Sequence, residues 1–215
     1  MKDRRGSVNI LLSNNVLVYL CRAFSIMKFS KTYNKEVFCL EGDWSKDLKS
    51  QASVQEVLMF LKRNRQIDYI HRHCGTRENL VYYINQWKLK KYKDYSILYI
   101  AFHGKPQQIL IGKEIVTLDE LAEMLGPNCH NKIIHFGTCH TLNVDLRHIK
   151  RFLRKTNALC VCGFGKEIKF VEGCVFDMLL IDMLQDFRNI STVQTTINQQ
   201  YKSLAEKLEF KLVHL

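Results

Sequence analysis

The 215-residue sequence has very little of what interrupts packed structure. It contains only two prolines, ten glycines and no Ser/Gly-rich or low-complexity tract. Long flexible linkers and disordered regions are usually rich in proline, glycine and low-complexity tracts, so this composition argues against them. With 47% hydrophobic residues, the chain can bury one sizeable core. We therefore predict a single domain over residues 36–215.

The sequence also lacks a clear export signal or membrane span. The stretch "VNILLSNNVLVYL", residues 8–20, follows basic residues, but Ser13-Asn14-Asn15 interrupts it and no small-x-small cleavage site follows. It is also too short to cross a bilayer. We expect residues 1–35 to form a basic, loosely ordered extension, with Met27 as an alternative start. The predicted location is the cytoplasm, with no membrane partner.

Paired cysteine spacings are missing as well. None of the eight cysteines forms a C-x2-C pair, so we interpret them as reduced thiols, mostly in the core. The pairs His73-Cys74, Cys129-His130 and Cys139-His140 contain zinc-ligand residue types, but without the spacing of a structural zinc site. The loop "EGDWSK" lacks the glycines of a dinucleotide-binding turn. No metal and no cofactor is predicted.

The net charge of +11 is concentrated at one end of the chain. Residues 1–35 contribute +6 and the remaining 180 residues only +5. Basic runs such as "KLKKYK", residues 88–93, are typical of solvated surface. A mildly basic domain with a basic tail is only weak evidence for a phosphate-binding face, so nucleic acid is not the expected partner.

Short apolar strands alternate with amphipathic helices along most of the chain. Capping boxes at Ser53 and Thr117 and a cap at Thr76 mark helix starts. The predicted strands cover residues 36–40, 67–70, 96–102, 132–137 and 158–165. This βαβ repetition predicts an α/β fold with a mainly parallel sheet and helices on both faces, whose ligand crevice lies at the carboxyl ends of the strands.

Two of those strand ends carry reactive side chains. "YIAFHGKPQQ" places His103 and Gly104 after one strand, and "KIIHFGTCHT" places Cys139 after the next. A thiol attacks a carbonyl as its thiolate, and a neighbouring histidine can take the proton. We predict a His103–Cys139 dyad, with the amides of Gly104 and Cys139 as donors to the oxyanion. His135 and His140 are assigned to packing or to the rim.

The order of these motifs resembles the caspase-like cysteine peptidases. "IIHFGTCHT" is most similar to CHAT-type domains, where the strand ends Ser-Ala-Cys-x-Thr, and has some similarity to the metacaspase motif Asp-x-Cys-His-Ser-Gly. The resemblance covers roughly residues 36–187. It implies a three-layer caspase-like sandwich and a cysteine-type endopeptidase that acts on a protein or peptide, regulated by a separately encoded sensor or regulatory protein.

The chain departs from these relatives near the nucleophile. Gly137 stands where metacaspases have an acid, and Thr138 where CHAT domains have alanine. The candidate specificity loop "GFGKEIK" contains Lys166 beside Glu167 and no aspartate. From this loop we expect no strong preference for Arg or Lys before the scissile bond.

Other interpretations of His103 and Cys139 remain open. A cysteine at a strand end is often structural, and caspase-like folds also occur as catalytically inactive binding or scaffold modules that act with a partner protein. Faster alkylation of Cys139 than of the other thiols would favour the enzyme. Equal alkylation of all eight would favour the scaffold.

Overall fold

The computed structural model describes residues 33–215. The predicted extension over residues 1–35 lies outside the described residues, apart from 33–35, and so does the alternative start at Met27. The strands are β1 (Val37–Glu41), β2 (Tyr69–His73), β3 (Ile97–Ala101), β4 (His103–Lys105), β5 (Gln108–Ile111), β6 (Glu114–Thr117), β7 (Ile133–Phe136), β8 (Cys160–Phe164) and β9 (Phe210–Val213). The helices are α1 (Gln55–Arg65), α2 (Arg77–Trp87), α3 (Leu118–Leu125), α4 (Leu146–Thr156), α5 (Phe170–Asp186), α6 (Ile190–Gln200) and α7 (Lys202–Lys207), with a 3-10 turn at Lys90–Tyr92.

Six strands form the central sheet, in the order β2-β1-β3-β7-β8-β9. All neighbours in it are parallel except β8 and β9. The predicted mainly parallel sheet is confirmed, and β3 and β7 are direct neighbours, with Ile100 opposite Phe136. The two strands therefore end at the same edge of the sheet.

Side chains of the central strands alternate between two apolar cores, as the pleat of a strand requires. We call the side reached by Leu98 and Ile100 of β3 the first face; it packs against α2, α3 and α4. The second face, reached by Ile97 and Tyr99, packs against α1, α5 and α6. Helices on both faces complete the predicted three layers.

Some local predictions differ from the structure. Residues 103–117 contain a separate three-stranded sheet, β4-β5-β6, that is not among the predicted strands. The last helical region is divided at Tyr201 into α6 and α7 and is followed by β9, which is also not among the predicted strands. Strands of three or four residues show too little periodicity to be recognised, and β9 also depends on its partner β8, far earlier in the chain.

The two predicted capping boxes have different outcomes. Thr117 accepts a hydrogen bond from the Glu120 amide, and the Glu120 carboxylate bonds back to the Thr117 amide, so this box is confirmed. At α1, by contrast, the Ser53 hydroxyl donates to Glu41 and the Val54 amide does the same. A carboxylate from β1 therefore takes the place of the capping box predicted at Ser53.

Within residues 33–215, none of the helices has the length and apolar character needed to cross a membrane.

Candidate active site

His103 and Cys139 leave the central sheet at one edge. His103 follows β3 by two residues, at the start of β4, and Cys139 follows β7 by three residues. Both side chains line a cavity of about 330 Å³, which falls within the size range of small-ligand sites. The parallel pairing of β3 with β7 thus brings both predicted catalytic residues to the same cavity.

The loop after β1 holds the His103 ring. The Nε2 atom of His103 lies 3.0 Å from the backbone carbonyl oxygen of Trp44. A carbonyl only accepts hydrogen bonds, so Nε2 carries the proton and donates it. The Nδ1 atom is then the nitrogen with a free lone pair, the form that a general base requires. The Trp44 ring also contacts the imidazole edge-on, with ring centroids 5.4 Å apart.

A tight turn presents Cys139. His140, the next residue, has a φ of 58°, in the left-handed region. Its amide donates to the Lys166 carbonyl at 3.0 Å, and the Leu142 amide donates to the Phe164 carbonyl at 3.1 Å. The turn is thereby fixed to the end of β8 and does not depend on its own short sequence for its shape.

The Cys139 sulfur lies against the start of α5. The Ile168 amide donates toward Sγ at 3.5 Å, and the Ile168 carbonyl oxygen is 3.6 Å from the same atom. The half-buried Cys139 sulfur thus has one backbone donor and one backbone acceptor close by.

Five of the six other described cysteines are poor nucleophiles, because burial raises their pKa. Burial raises the pKa of Cys74 to about 12 and of Cys129 to about 11, and it raises the pKa of Cys39 and Cys162 well above the usual range. Cys174 is half-buried and lines the same cavity as Cys139, yet burial raises its pKa to about 12. Cys174 is thus a matched control for Cys139.

Gly104 has a packing reason to be glycine. A Cβ atom there would lie 2.2 Å from the Cys139 carbonyl oxygen and 2.4 Å from Thr141 Oγ1. The absent side chain lets β4 approach the cysteine turn. The role of the Gly104 amide as an oxyanion donor stays a prediction.

Of the two residues in the predicted specificity loop, only Glu167 lines the cavity. Glu167 is exposed and lines the cavity. Lys166 is not among the residues that line it, and its backbone carbonyl binds the His140 amide. The loop therefore presents its acid, and not its base, to the cavity.

The sequence analysis did not predict a buried polar network that lies beneath the cavity. Asp177, on α5, accepts hydrogen bonds from His135 Nε2 at 2.7 Å and from the Tyr99 hydroxyl. Asp177 and Tyr99 both line the cavity. One signal was available: of the two acids within the apolar stretch "VFDMLLIDML", Asp177 is the one on the face that Leu180 and Leu184 bury.

This network has the composition of a Cys-His-Asp triad but not its chemistry. Cys162 Sγ lies 3.5 Å from His135 Nδ1, and His135 in turn binds Asp177. Cys162 and His135 are fully buried, and burial raises the pKa of Cys162 well above its ordinary value. The thiol keeps its proton and acts as a hydrogen-bond donor within the core.

The pairs considered for zinc do not assemble. Across residues 33–215, no group of three or more His, Cys, Asp or Glu side chains is placed to hold a metal ion.

Comparison with known proteins gives a family and a fold. The model of a family described as "Family of unknown function (DUF6642)" matches residues 34–214. No curated protein matches the sequence. Among solved structures, caspase-1 from Spodoptera frugiperda superimposes with a TM-score of 0.51 at 14% identity, covering 79% of this chain and 77% of that chain. At this identity the likeness shows a caspase-like fold.

Proposed function

The chain belongs to the DUF6642 family, and we propose that it is a cysteine-type endopeptidase with Cys139 as nucleophile and His103 as general base. The observation that carries the proposal is the shared cavity. Two side chains of complementary chemistry line it from adjacent strand ends, and the Trp44 carbonyl holds the histidine in the tautomer that a base needs.

The reaction would proceed in two halves. Cys139 Sγ forms a bond to the carbonyl carbon of the peptide, and its proton passes to His103 Nδ1. The tetrahedral oxyanion takes hydrogen bonds from backbone amides, for which Gly104 and Cys139 are the candidates. The C–N bond breaks as His103 protonates the leaving amine, and a water molecule activated by His103 then hydrolyses the thioester.

The turn around Cys139 supports this reaction by holding the nucleophile still. It is bonded to β8 through Leu142 and to the β4–β5 turn, where the Gln107 amide donates to the Thr141 carbonyl at 3.2 Å. Thr141 Oγ1 further donates to the Gln108 carbonyl at 3.0 Å. A fixed nucleophile loses little entropy on reaching its attack geometry, which is a large part of catalysis.

Thiol alkylation tests the activation of Cys139. Limiting iodoacetamide followed by peptide mapping measures the rate at each cysteine. We expect Cys139 to react at least tenfold faster than Cys174, the thiol in the same cavity with a raised pKa. His103→Ala should slow Cys139 and leave Cys174 unchanged. Equal rates at the two thiols would favour the inactive scaffold.

Peptide hydrolysis tests the activity itself. Cys139→Ala and His103→Ala should each reduce the cleavage of a fluorogenic peptide library to background, because the two residues act as one unit. His140→Ala is the matched control, since only its backbone amide binds Lys166. A loss in His140→Ala with full activity in His103→Ala would show that the base is misassigned.

A further inference from the structure

The cavity beside Cys139 has an acidic lining. Apart from thiols and Tyr99, the ionisable side chains that line it within the described part of the chain are His103, Glu167 and Asp177, and no Lys or Arg from that part is among them. Asp177 is 2% exposed and Glu167 lies at the surface. The Asp177 carboxylate at the floor is placed to receive the cationic tip of a long side chain, and the Glu167 carboxylate at the mouth adds negative charge along its path.

Two hydrogen bonds orient the Asp177 carboxylate. His135 Nε2 lies 2.7 Å from Oδ1, and the Tyr99 hydroxyl donates to Oδ2. The other ring nitrogen of His135, Nδ1, lies 3.5 Å from the Cys162 sulfur. Among the described residues, no Lys or Arg side chain bonds to Asp177.

Asp177 also retains capacity for a ligand. An ionised carboxylate can accept about four hydrogen bonds, and His135 and Tyr99 use two. A buried, charged acceptor with unused lone pairs is costly unless a cation or further donor reaches it. A substrate ammonium or guanidinium would complete its coordination.

Gly137 keeps this carboxylate next to the nucleophile's strand end. A Cβ atom at Gly137 would lie 2.4 Å from Tyr99 Cε2 and 3.0 Å from Asp177 Oδ2. The space beside Gly137 that a side chain would need is thus bordered by the Asp177 carboxylate from α5. Asp177 also acts on Cys174. The pKa of Cys174 is raised to about 12, with burial as the larger cause and the Asp177 carboxylate as the second.

We propose that this cavity is the specificity pocket of the enzyme and that it binds the lysine or arginine side chain before the scissile bond, with Asp177 at its floor and Glu167 at its mouth. The proposal rests on the peptidase function proposed above and names its substrate class. It replaces the expectation drawn from the Lys166–Glu167 loop alone, because the acid that matters comes from a helix and not from that loop.

A pair of covalent inhibitors tests the proposal on the unaltered protein. Two peptidyl acyloxymethyl ketones are compared, one with lysine and one with norleucine before the warhead. Norleucine has the same aliphatic stem without the charge. The readout is the second-order rate of Cys139 modification, followed by intact mass. We expect lysine to react at least about thirtyfold faster, as a charge-assisted hydrogen bond to a buried carboxylate implies.

Variants assign the preference to its residues. Asp177→Asn keeps the shape of the side chain and should reduce the lysine-to-norleucine rate ratio about tenfold or more. Glu167→Gln should reduce the ratio about threefold, because its carboxylate is exposed to solvent. Near-UV circular dichroism of Asp177→Asn monitors the fold. The lysine-to-norleucine rate ratio of the wild-type protein tests the basic pocket even if that variant does not fold.

The outcomes separate the two proposals. Rapid modification by norleucine with no advantage for lysine, or faster reaction of a glutamate inhibitor, would overturn the basic pocket and keep the peptidase. A lysine preference that survives Asp177→Asn in a folded protein would overturn the role of Asp177. If neither inhibitor modifies Cys139 faster than iodoacetamide modifies Cys174, both the peptidase and its pocket fail.

Discussion

On the first face of the central sheet, β1, β3 and β7 contribute only apolar side chains, such as Leu98 and Phe136. On the second face the same strands also contribute Glu41, Tyr99 and His135, all nearly or fully buried. Each of these has a specific partner: Tyr99 and His135 meet Asp177, and Glu41 meets the start of α1. Buried polarity in this molecule is concentrated on the face where the cavity opens.

The difference separates two ways to hold a fold together. The first face depends on close packing, whose loss is felt as a void. The second face depends on donors and acceptors that must all be matched, since an unmatched buried group costs free energy and a matched one contributes little. We expect variants on the first face to change stability alone and variants on the second to change stability and site together.

The largest expected effect comes from the first face. Leu98→Ala removes a fully buried side chain in the central strand β3 and should lower the free energy of unfolding by about 3 kcal/mol. Urea denaturation measures it. The alkylation rate of Cys139 in the folded variant should match wild type. A changed rate would show that the two faces are coupled.

The next effect is pH-dependent and lies on the second face. Burial raises the pKa of Glu41, but hydrogen bonds from His71, Trp44, Ser53 and the Val54 amide outweigh burial and leave that pKa below its ordinary value. A depressed folded pKa gives stability that is present above the unfolded pKa and lost as the pH falls through the folded pKa. Glu41→Gln should therefore cost about 2 kcal/mol at pH 7.

The pH dependence itself is the sharper readout for that variant. Urea titrations at pH 7, 5 and 3.5 should show wild type losing stability below the ordinary carboxyl range more steeply than Glu41→Gln. Parallel curves would mean that the Glu41 carboxylate does not contribute as its contacts indicate.

A smaller loss of stability should distinguish the buried Tyr99 from the more exposed Tyr95. Tyr99→Phe removes the donor to buried Asp177 and should cost about 1.5 kcal/mol. Tyr95→Phe is the matched control, because its hydroxyl donates to Asp68 at 2.9 Å in a more exposed place, and should cost under about 1 kcal/mol. Only Tyr99→Phe should alter the reactivity of the cavity thiols. Equal effects of both variants would remove the distinction between the faces.

The smallest effect is local to a helix. Thr117→Ala deletes the cap of α3 and should cost about 1 kcal/mol. Thr117→Ser retains the hydroxyl and should restore most of it. Because α3 packs on the first face, thermal stability should change and the alkylation of Cys139 should not.

The parts of this molecule that could be predicted from sequence are those with a local signal. Continuous apolar runs marked the buried parallel strands, and the residues behind two of them, His103 and Cys139, face one cavity because parallel strands end together. Their catalytic roles remain predictions. The three short strands over residues 103–117 carry weaker patterns, although they pair with one another, and strand β9 depends on β8, far earlier in the chain.

Asp177 shows why the rest was not predictable. Its partners lie 42 and 78 residues earlier in the chain, and no spacing rule connects positions so far apart. The same is true of Glu41, which takes the place of a cap at α1. Buried acids of this kind are defined by the packing of one element on another, which appears only in three dimensions.

The chain contains two tryptophans, Trp44 and Trp87, and they belong to different parts of this architecture. Trp87 is buried in the first face and donates to the Tyr95 carbonyl at 2.7 Å, whereas Trp44 stands against His103 and Phe170 at the cavity. Each is an intrinsic fluorophore with its own surroundings. With Trp87→Phe, the remaining emission would report occupancy of the cavity and the titration of the adjacent imidazole, an optical signal that needs no substrate and no label.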